Sequence, residues 1–125
     1  MLAVAAWSLD RPVACVYTRT ESMAVSTKRH PARIAARFGC DREGRLVAAE
    51  LTADFDTGAY ASWGPTVAGR VPVHGSGPYK IPHLSINAQA ILTNAPPSGA
   101  FRGFGVPQIA LAHEALIDDL ADQAG

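Results

Sequence analysis

Residues 32–55 read ARIAARFGCDREGRLVAAELTADF, two runs in which apolar and polar residues alternate on either side of a turn. The apolar face of the first run holds Ala32, Ile34, Ala36, Phe38 and Cys40. The apolar face of the second run holds Val47, Ala49, Leu51, Ala53 and Phe55. A period of two with one apolar face predicts half-buried strands. Residues 41–44, which end in glycine, predict a tight turn, so the two strands should form a hairpin.

The chain after the hairpin predicts one more strand and a terminal helix. Residues 84–93 alternate again, with one face formed by Leu84, Ile86, Ala88, Ala90 and Leu92. A helix should begin near Pro107, since proline suits the first turn. Its apolar stripe recurs at helical spacing and comprises Ile109, Ala112, Leu116, Ile117 and Leu120. The fold class is therefore α+β, with a hairpin plus a third strand flanked by helices.

The chain before the hairpin predicts shorter elements. Residues 2–7 are strong helix formers, and residues 10–12 end that helix. The continuous apolar run at residues 13–17 predicts a buried strand with Cys15 as a buried thiol. Residues 20–23 predict a short helical turn, with Thr20 as the capping residue. Both chain ends are expected to be cut from a larger domain, because three strands and two partial helices do not seal both faces of a sheet.

The composition narrows the function classes. The formal net charge is zero, which argues against nucleic acid or an anionic membrane as the main partner. Two cysteines cannot make a disulfide framework, and reduced thiols suit the cytoplasm. The apolar residues 2–7 are too short for a transmembrane helix and lack the basic start of a signal peptide.

Two loops are candidates for function. Residues 58–82 are rich in glycine and proline and predict a long ordered loop with a helical turn near residues 67–73. Residues 99–105, GAFRGFG, precede the last helix. Backbone amides at a helix N-terminus favour negatively charged ligands. Arg102 adds a guanidinium group with a planar fork of donors, between Phe101 and Phe104 in sequence. This pattern fits an anionic, planar ligand, although a tight strand-to-helix turn would explain the glycines equally well.

Four motifs, in order along the chain, carry a family resemblance. They are AFRGFGVPQ at residues 100–108, KRHP at 28–31, DTGAY at 56–60 and YKIP at 79–82. This set resembles the molybdenum subunit of the xanthine dehydrogenase/aldehyde oxidase family. The resemblance implies a partial molybdopterin-binding domain over residues 1–125 and an oxidoreductase that hydroxylates a purine or other N-heterocycle with water as oxygen source.

The resemblance also implies roles for individual residues. Phe101, Arg102 and Gly103 would bind the molybdenum–molybdopterin cofactor. Phe104 and Ala100 would contact the substrate ring. Arg70 matches an arginine of the xanthine-oxidising members that stabilises charge on the substrate, although a surface arginine in a variable loop would look the same. No residue of this chain is expected to ligate the metal.

Further parts are expected outside this chain. The resemblance implies a cytosine dinucleotide form of the cofactor in some members, and iron–sulfur clusters and FAD on other domains or subunits. It also places the catalytic glutamate and a glycine-rich loop beyond these residues, so the isolated chain is expected to be inactive. The alternatives are an aldehyde- or carbon monoxide-oxidising member, or a non-catalytic binding domain.

Five further polar residues have structural interpretations. His30 and His74 are expected to be hydrogen-bonded structural histidines. Arg29 is expected to pair with an acid or a carbonyl. Asp54 and Asp56 are expected on the solvated face of a strand.

Overall fold

The computed structural model describes residues 1–125 and has a three-stranded sheet with strand order β1-β2-β3. The strands are β1 (Ala32–Cys40), β2 (Leu46–Gly58) and β3 (His83–Leu92). The helices are α1 (Leu2–Leu9), α2 (Arg19–Val25), α3 (Gly64–Ala68), α4 (Arg70–His74) and α5 (Val106–Ala124). The expected α+β architecture is confirmed.

The β1–β2 hairpin forms as the alternating pattern predicts. The strands pair antiparallel, with Ile34 opposite Ala53 and Phe38 opposite Ala49. In the turn, the Asp41 carboxylate accepts from the backbone N–H groups of Glu43 at 3.0 Å and Arg45 at 2.8 Å. Gly44 has a φ of 78°, a positive value that glycine adopts readily and other residues adopt rarely. Local turn chemistry and the pattern of the strands therefore specify the same register.

β3 pairs with β2 in parallel, so the chain must cross back between them. Residues 59–82 make this crossover, which contains α3 and α4 instead of one helical turn. A side chain on Gly64 would overlap the side chain of Thr57, so α3 lies directly against the end of β2. The crossover therefore starts beside the carboxyl end of β2.

The core lies between the sheet and the helices that cover one face. Phe55, at 0% exposure, is its largest buried side chain. The buried apolar residues are Ala49, Leu51, Ala53, Phe55, Val67, Ala68, Val71 and Ile109. Full burial of one such large side chain contributes roughly 1.5–3 kcal/mol. Half of this core comes from the strand face predicted for β2. The crossover supplies Val67, Ala68 and Val71, and α5 supplies Ile109.

A polar clamp holds the crossover to α5. His113 is buried, and its ring lies directly beneath Gly77, where a Cβ would meet the imidazole. The Tyr79 hydroxyl donates to Glu114 Oε2 at 2.8 Å, and this bond raises the pKa of Tyr79. His113 follows Ile109 by one helical turn, but the apolar stripe predicted for this helix did not include it.

The N-terminal segment corrects two expectations. Residues 13–17 form no strand, and Cys15 is exposed. A strand needs a neighbour to satisfy its backbone, and residues 13–17 pair with none of the three strands. The short helix α2 exists, but its cap is Thr18, which accepts from the Glu21 N–H at 3.3 Å, and not Thr20. No helix of the chain is long and apolar enough to cross a bilayer.

Candidate functional site

Residues 99–105, which the family resemblance predicts to be the cofactor loop, follow a segment that packs on the carboxyl end of β2. The Ser98 N–H donates to the Thr57 carbonyl at 3.0 Å, and the Gly99 N–H donates to the Lys28 carbonyl at 2.9 Å. A side chain on Gly58 would overlap the Pro96 carbonyl, so the segment before the loop packs tightly on β2. These contacts fix where the loop leaves the sheet.

The cofactor loop turns sharply before α5 and leaves several amides open. The Phe104 N–H donates to the Phe101 carbonyl at 2.7 Å, and the Val106 N–H donates to the Gly103 carbonyl at 2.8 Å. Gly103 and Gly105 have φ values of 76° and 89°. Five amides make no hydrogen bond to another backbone group, those of Ala100, Phe101, Arg102, Gly103 and Gly105. Open amides before a helix N-terminus favour an anionic or oxygen-rich ligand.

Arg70 and Phe104 meet although the sequence separates them widely. The guanidinium carbon of Arg70 lies 5.1 Å from the centroid of the Phe104 ring. A side chain on Gly105 would overlap the Val67 carbonyl and crowd Arg70 Cβ, so glycine lets the loop lie against α3 and α4. The structure thus places a cation next to a flat apolar ring at the end of the cofactor loop.

Trp63 was missed by the sequence analysis. Its ring lies 6.5 Å from the Phe104 ring, centroid to centroid, at an interplanar angle of 55°. Trp63 precedes α3, so the same crossover carries both Trp63 and Arg70 to Phe104. No spacing in the sequence links residue 63 to residue 104, and only the packing of the crossover could reveal this contact.

Arg29 contacts the cofactor loop from the side of β1. Its Nη2 donates to the Arg102 carbonyl at 2.8 Å, and its guanidinium carbon lies 4.8 Å from the Phe101 ring centroid. The expectation that Arg29 pairs with an acid or a carbonyl is confirmed, with the carbonyl as the partner.

His30 is buried under the cofactor loop, at 2% exposure. Burial lowers its pKa, while the Gly99 backbone and the Asp56 carboxylate oppose that shift. Neither ring nitrogen makes a well-formed hydrogen bond, which contradicts the expected hydrogen-bonded histidine. The Gln108 side-chain amide donates to the His30 carbonyl at 3.1 Å. His74 lies elsewhere, at the end of α4.

Asp54 and Asp56 differ although they share a strand face. Asp54 accepts from the Gln89 side chain at 2.8 Å on the outer face of the sheet. Both residues are half-buried, but Asp56 accepts from the Thr93 hydroxyl and the Gly58 N–H, both at 2.7 Å. These bonds lower the pKa of Asp56. Asp56 therefore ties β2 to the segment after β3. The expected solvated strand face is only partly solvated, because Asp54 and Asp56 are both half-buried.

The described residues fit a polar, negatively charged cofactor better than a bare metal ion. No group of three or more His, Cys, Asp or Glu side chains could hold a metal ion. The cofactor loop has no acidic residue, it offers open amides, and Arg102 is exposed. Two buried polar atoms beside the loop have no partner in the chain, Arg29 Nη1 and Gln108 Oε1. Unpaired buried groups are costly, so a ligand or water should complete them.

Three comparisons with known proteins identify relatives of the chain. The family model for the molybdopterin cofactor-binding domain matches residues 1–125. The chain is 45% identical over 123 residues to the nicotinate dehydrogenase large molybdopterin subunit of Eubacterium barkeri, covering 98% of this chain. It is 34% identical over 125 residues to the xanthine dehydrogenase/oxidase of Gallus gallus, covering 100% of this chain. The aldehyde oxidoreductase of Desulfovibrio gigas superposes with a TM-score of 0.89 at 32% identity over 98% of this chain.

The chain is short relative to these proteins. It spans 29% of the Eubacterium barkeri subunit and 9% of the Gallus gallus enzyme. It spans 14% of the Desulfovibrio gigas chain.

Proposed function

The chain belongs to the molybdopterin cofactor-binding domain family, and we propose that it forms part of the molybdenum subunit of a hydroxylase acting on a purine or other N-heterocycle. The reaction is an oxidative hydroxylation in which water supplies the oxygen. The observation that carries this proposal is the pairing of Arg70 with Phe104 at the end of the cofactor loop, 5.1 Å apart.

The pairing suits a flat heterocycle for an electrostatic reason. The Phe104 ring can stack on a planar substrate, and Ala100 adds a small apolar contact beside it. The Arg70 guanidinium lies close enough to that ring to attract negative charge that develops on a stacked substrate. A group that interacts more strongly with the transition state than with the ground state accelerates the reaction. Arg70 is therefore assigned to charge stabilisation and to substrate binding.

Cofactor binding is assigned to Phe101, Arg102 and Gly103. The open amides of these residues can donate to oxygen atoms of the cofactor, and the Arg102 side chain can add two parallel donors. When bound, the molybdenum–molybdopterin cofactor supplies the two-electron oxidation that no side chain of the chain could perform. The residues themselves hold the cofactor and orient the substrate ring.

The remaining parts of the system are proposed from the relatives. The relative of Eubacterium barkeri is named a molybdopterin subunit, which supports a multi-subunit enzyme. We propose that iron–sulfur clusters, FAD and the rest of the molybdenum subunit lie on other domains or subunits. The cytosine dinucleotide form of the cofactor is compatible with this proposal. We also place the catalytic base outside this chain, and the enzyme in the cytoplasm.

A second substrate class has structural support. The superposed Desulfovibrio gigas protein is named an aldehyde oxidoreductase. A simple aldehyde, however, offers no distant acceptor on which Arg70 could stabilise charge. The 45% identity to a nicotinate dehydrogenase subunit favours a nitrogen heterocycle over an aldehyde as the substrate.

The test is to measure turnover of the protein that carries this chain, together with its partner subunits, on xanthine, nicotinate and an aromatic aldehyde. We expect the heterocycles to have the higher kcat/KM and the protein to contain molybdenum. Faster turnover of the aldehyde would favour the second class. A protein without molybdenum or pterin would contradict both.

A further inference from the structure

Arg29 contacts two consecutive residues of the cofactor loop in two chemically different ways. Its Nη2 donates to the Arg102 carbonyl at 2.8 Å, and its guanidinium stacks over the Phe101 ring at 4.8 Å. Arg29 and Arg102 are 73 residues apart in sequence, so their hydrogen bond is a tertiary contact. Arg29 thus fixes both a side chain and a peptide group of the loop.

The fixed carbonyl determines where the next amide points. The Arg102 carbonyl and the Gly103 N–H belong to one planar trans peptide, in which the two groups point in opposite directions. Because Arg29 holds the carbonyl, the Gly103 N–H points away from Arg29. That N–H makes no hydrogen bond to another backbone group.

Gly103 makes this anchor necessary. Glycine accepts positive and negative φ with similar ease, so its own conformation does not fix the peptide before it. Gly103 has a φ of 76°, and its neighbours in the loop do not bond the Arg102 carbonyl. The hydrogen bond from Arg29 therefore decides which way this peptide faces.

The charge of Arg29 is also unpaired in the chain. No carboxylate forms a salt bridge with it, since the ion pairs of the chain involve Arg37, Arg45 and His113. Its Nη1 is buried and has no hydrogen-bond partner. A buried, unpaired cationic donor is costly unless a ligand completes it. A negatively charged cofactor held by the loop would supply the missing counter-charge.

We propose that Arg29 is a positioning residue of the molybdenum site, which aims the Gly103 amide at the bound cofactor and adds positive charge behind the loop. The inference rests on the proposed cofactor binding by Phe101, Arg102 and Gly103. Arg29 acts through the loop and is not assigned to the reaction itself.

The test compares three variants of the protein that carries this chain. Arg29→Met removes the charge and the donors, and Arg29→Lys keeps the charge but loses the planar fork. Arg33→Met is the matched control, because Arg33 is exposed on β1 and makes no side-chain hydrogen bond or ion pair in the structure. Molybdenum per folded protein is measured by mass spectrometry. The backbone order parameter of the Gly103 N–H is measured by NMR in the metal-free protein.

We expect Arg29→Met to lower molybdenum content by about 10-fold or more, as other residues that orient ligand-binding groups do. The Gly103 order parameter should fall from about 0.85 to below about 0.6. Arg29→Lys should be intermediate, and Arg33→Met should match the wild type. The melting temperatures of the folded proteins should stay similar, which separates positioning from loss of the fold.

Wild-type cofactor content and an unchanged Gly103 order parameter in Arg29→Met would overturn the inference. If Arg29→Met does not fold, Arg29→Lys decides, and wild-type loading and order in that folded variant would overturn it too. Absence of molybdenum from the wild type would instead contradict the proposed function. The order parameter of the metal-free protein still tests the role of Arg29 in that case.

Discussion

The guanidinium carbon of Arg70 lies 5.1 Å from the centroid of the Phe104 ring, and Gly105 makes this approach possible. Arg70 begins α4 in the crossover, whereas Phe104 belongs to the cofactor loop before α5. Two segments that are distant in sequence thus bring a cation and an aromatic ring into contact.

Replacing Arg70 by Met should reduce heterocycle turnover selectively. The substitution removes the charge and keeps much of the side-chain volume. We expect kcat/KM on a purine or nicotinate to fall by ~100-fold, about 3 kcal/mol of transition-state stabilisation. Turnover of an aromatic aldehyde should be unchanged or improved. Steady-state kinetics of the loaded enzyme on both substrates check this, and equal losses on both would remove the substrate assignment.

Replacing Gly105 by Ala should destabilise the chain and displace the cofactor loop. Gly105 has a φ of 89°, and its added Cβ would overlap the Val67 carbonyl and Arg70 Cβ. We expect a loss of roughly 3 kcal/mol or more in the free energy of unfolding, from backbone strain plus overpacking. Urea unfolding measures this loss.

Gly44→Ala is the matched control for that prediction. Gly44 also has a positive φ, 78°, but an added Cβ would meet nothing within 4 Å. We expect it to cost only about 1–2 kcal/mol, from backbone conformation alone. If both substitutions cost the same, the close approach of the loop to Val67 and Arg70 carries no energetic weight.

His30 should make the chain less stable in mild acid. Burial lowers its folded-state pKa below the ordinary value of 6.5, so the unfolded chain binds the proton more readily. The stability that His30 contributes in its neutral form is therefore present above pH 6.5, and it is lost as the pH falls through the folded-state pKa. We expect the free energy of unfolding to drop between pH 7.5 and pH 5.5, as urea titrations would show.

The variants His30→Gln and His83→Gln isolate this effect. His83 is exposed at the start of β3, so its replacement should leave the pH dependence as in the wild type. His30→Gln should flatten the dependence over the same range. An unchanged slope in His30→Gln would mean that another group is responsible.

The N-terminal segment should promote self-association of this chain. Trp7 is 85% exposed and Val16 is 91% exposed, and neither α1 nor α2 packs extensively against the sheet. Exposed apolar surface of this kind favours contact with another surface. We expect Trp7→Ser with Val16→Ser to lower the associated fraction in light scattering. Arg42→Ser, at an exposed polar position in the hairpin turn, should not; a monodisperse wild type would refute the prediction.

The sequence by itself determined the elements whose pattern is local. The alternation in residues 32–55 and Gly44 in the turn specify the hairpin, and the spacing of Ile109 and its neighbours specifies the buried side of α5. These features could be predicted because side-chain periodicity and turn conformation depend on residues that are close in the chain. The cofactor loop motif was also visible in sequence, through its resemblance to a family.

Only the tertiary structure decided which distant groups meet. The apolar run at residues 13–17 looks like a strand but has no partner strand. Asp54 and Asp56 share one pattern, but Asp54 accepts from Gln89 on β3 whereas Asp56 accepts from Thr93 after that strand. The contacts of Trp63 and Arg70 with Phe104, and of Arg29 with the Arg102 carbonyl, depend on how the crossover and β1 pack around the loop. Such contacts join segments separated by whole elements, and their geometry follows from the close packing of the core rather than from any local spacing.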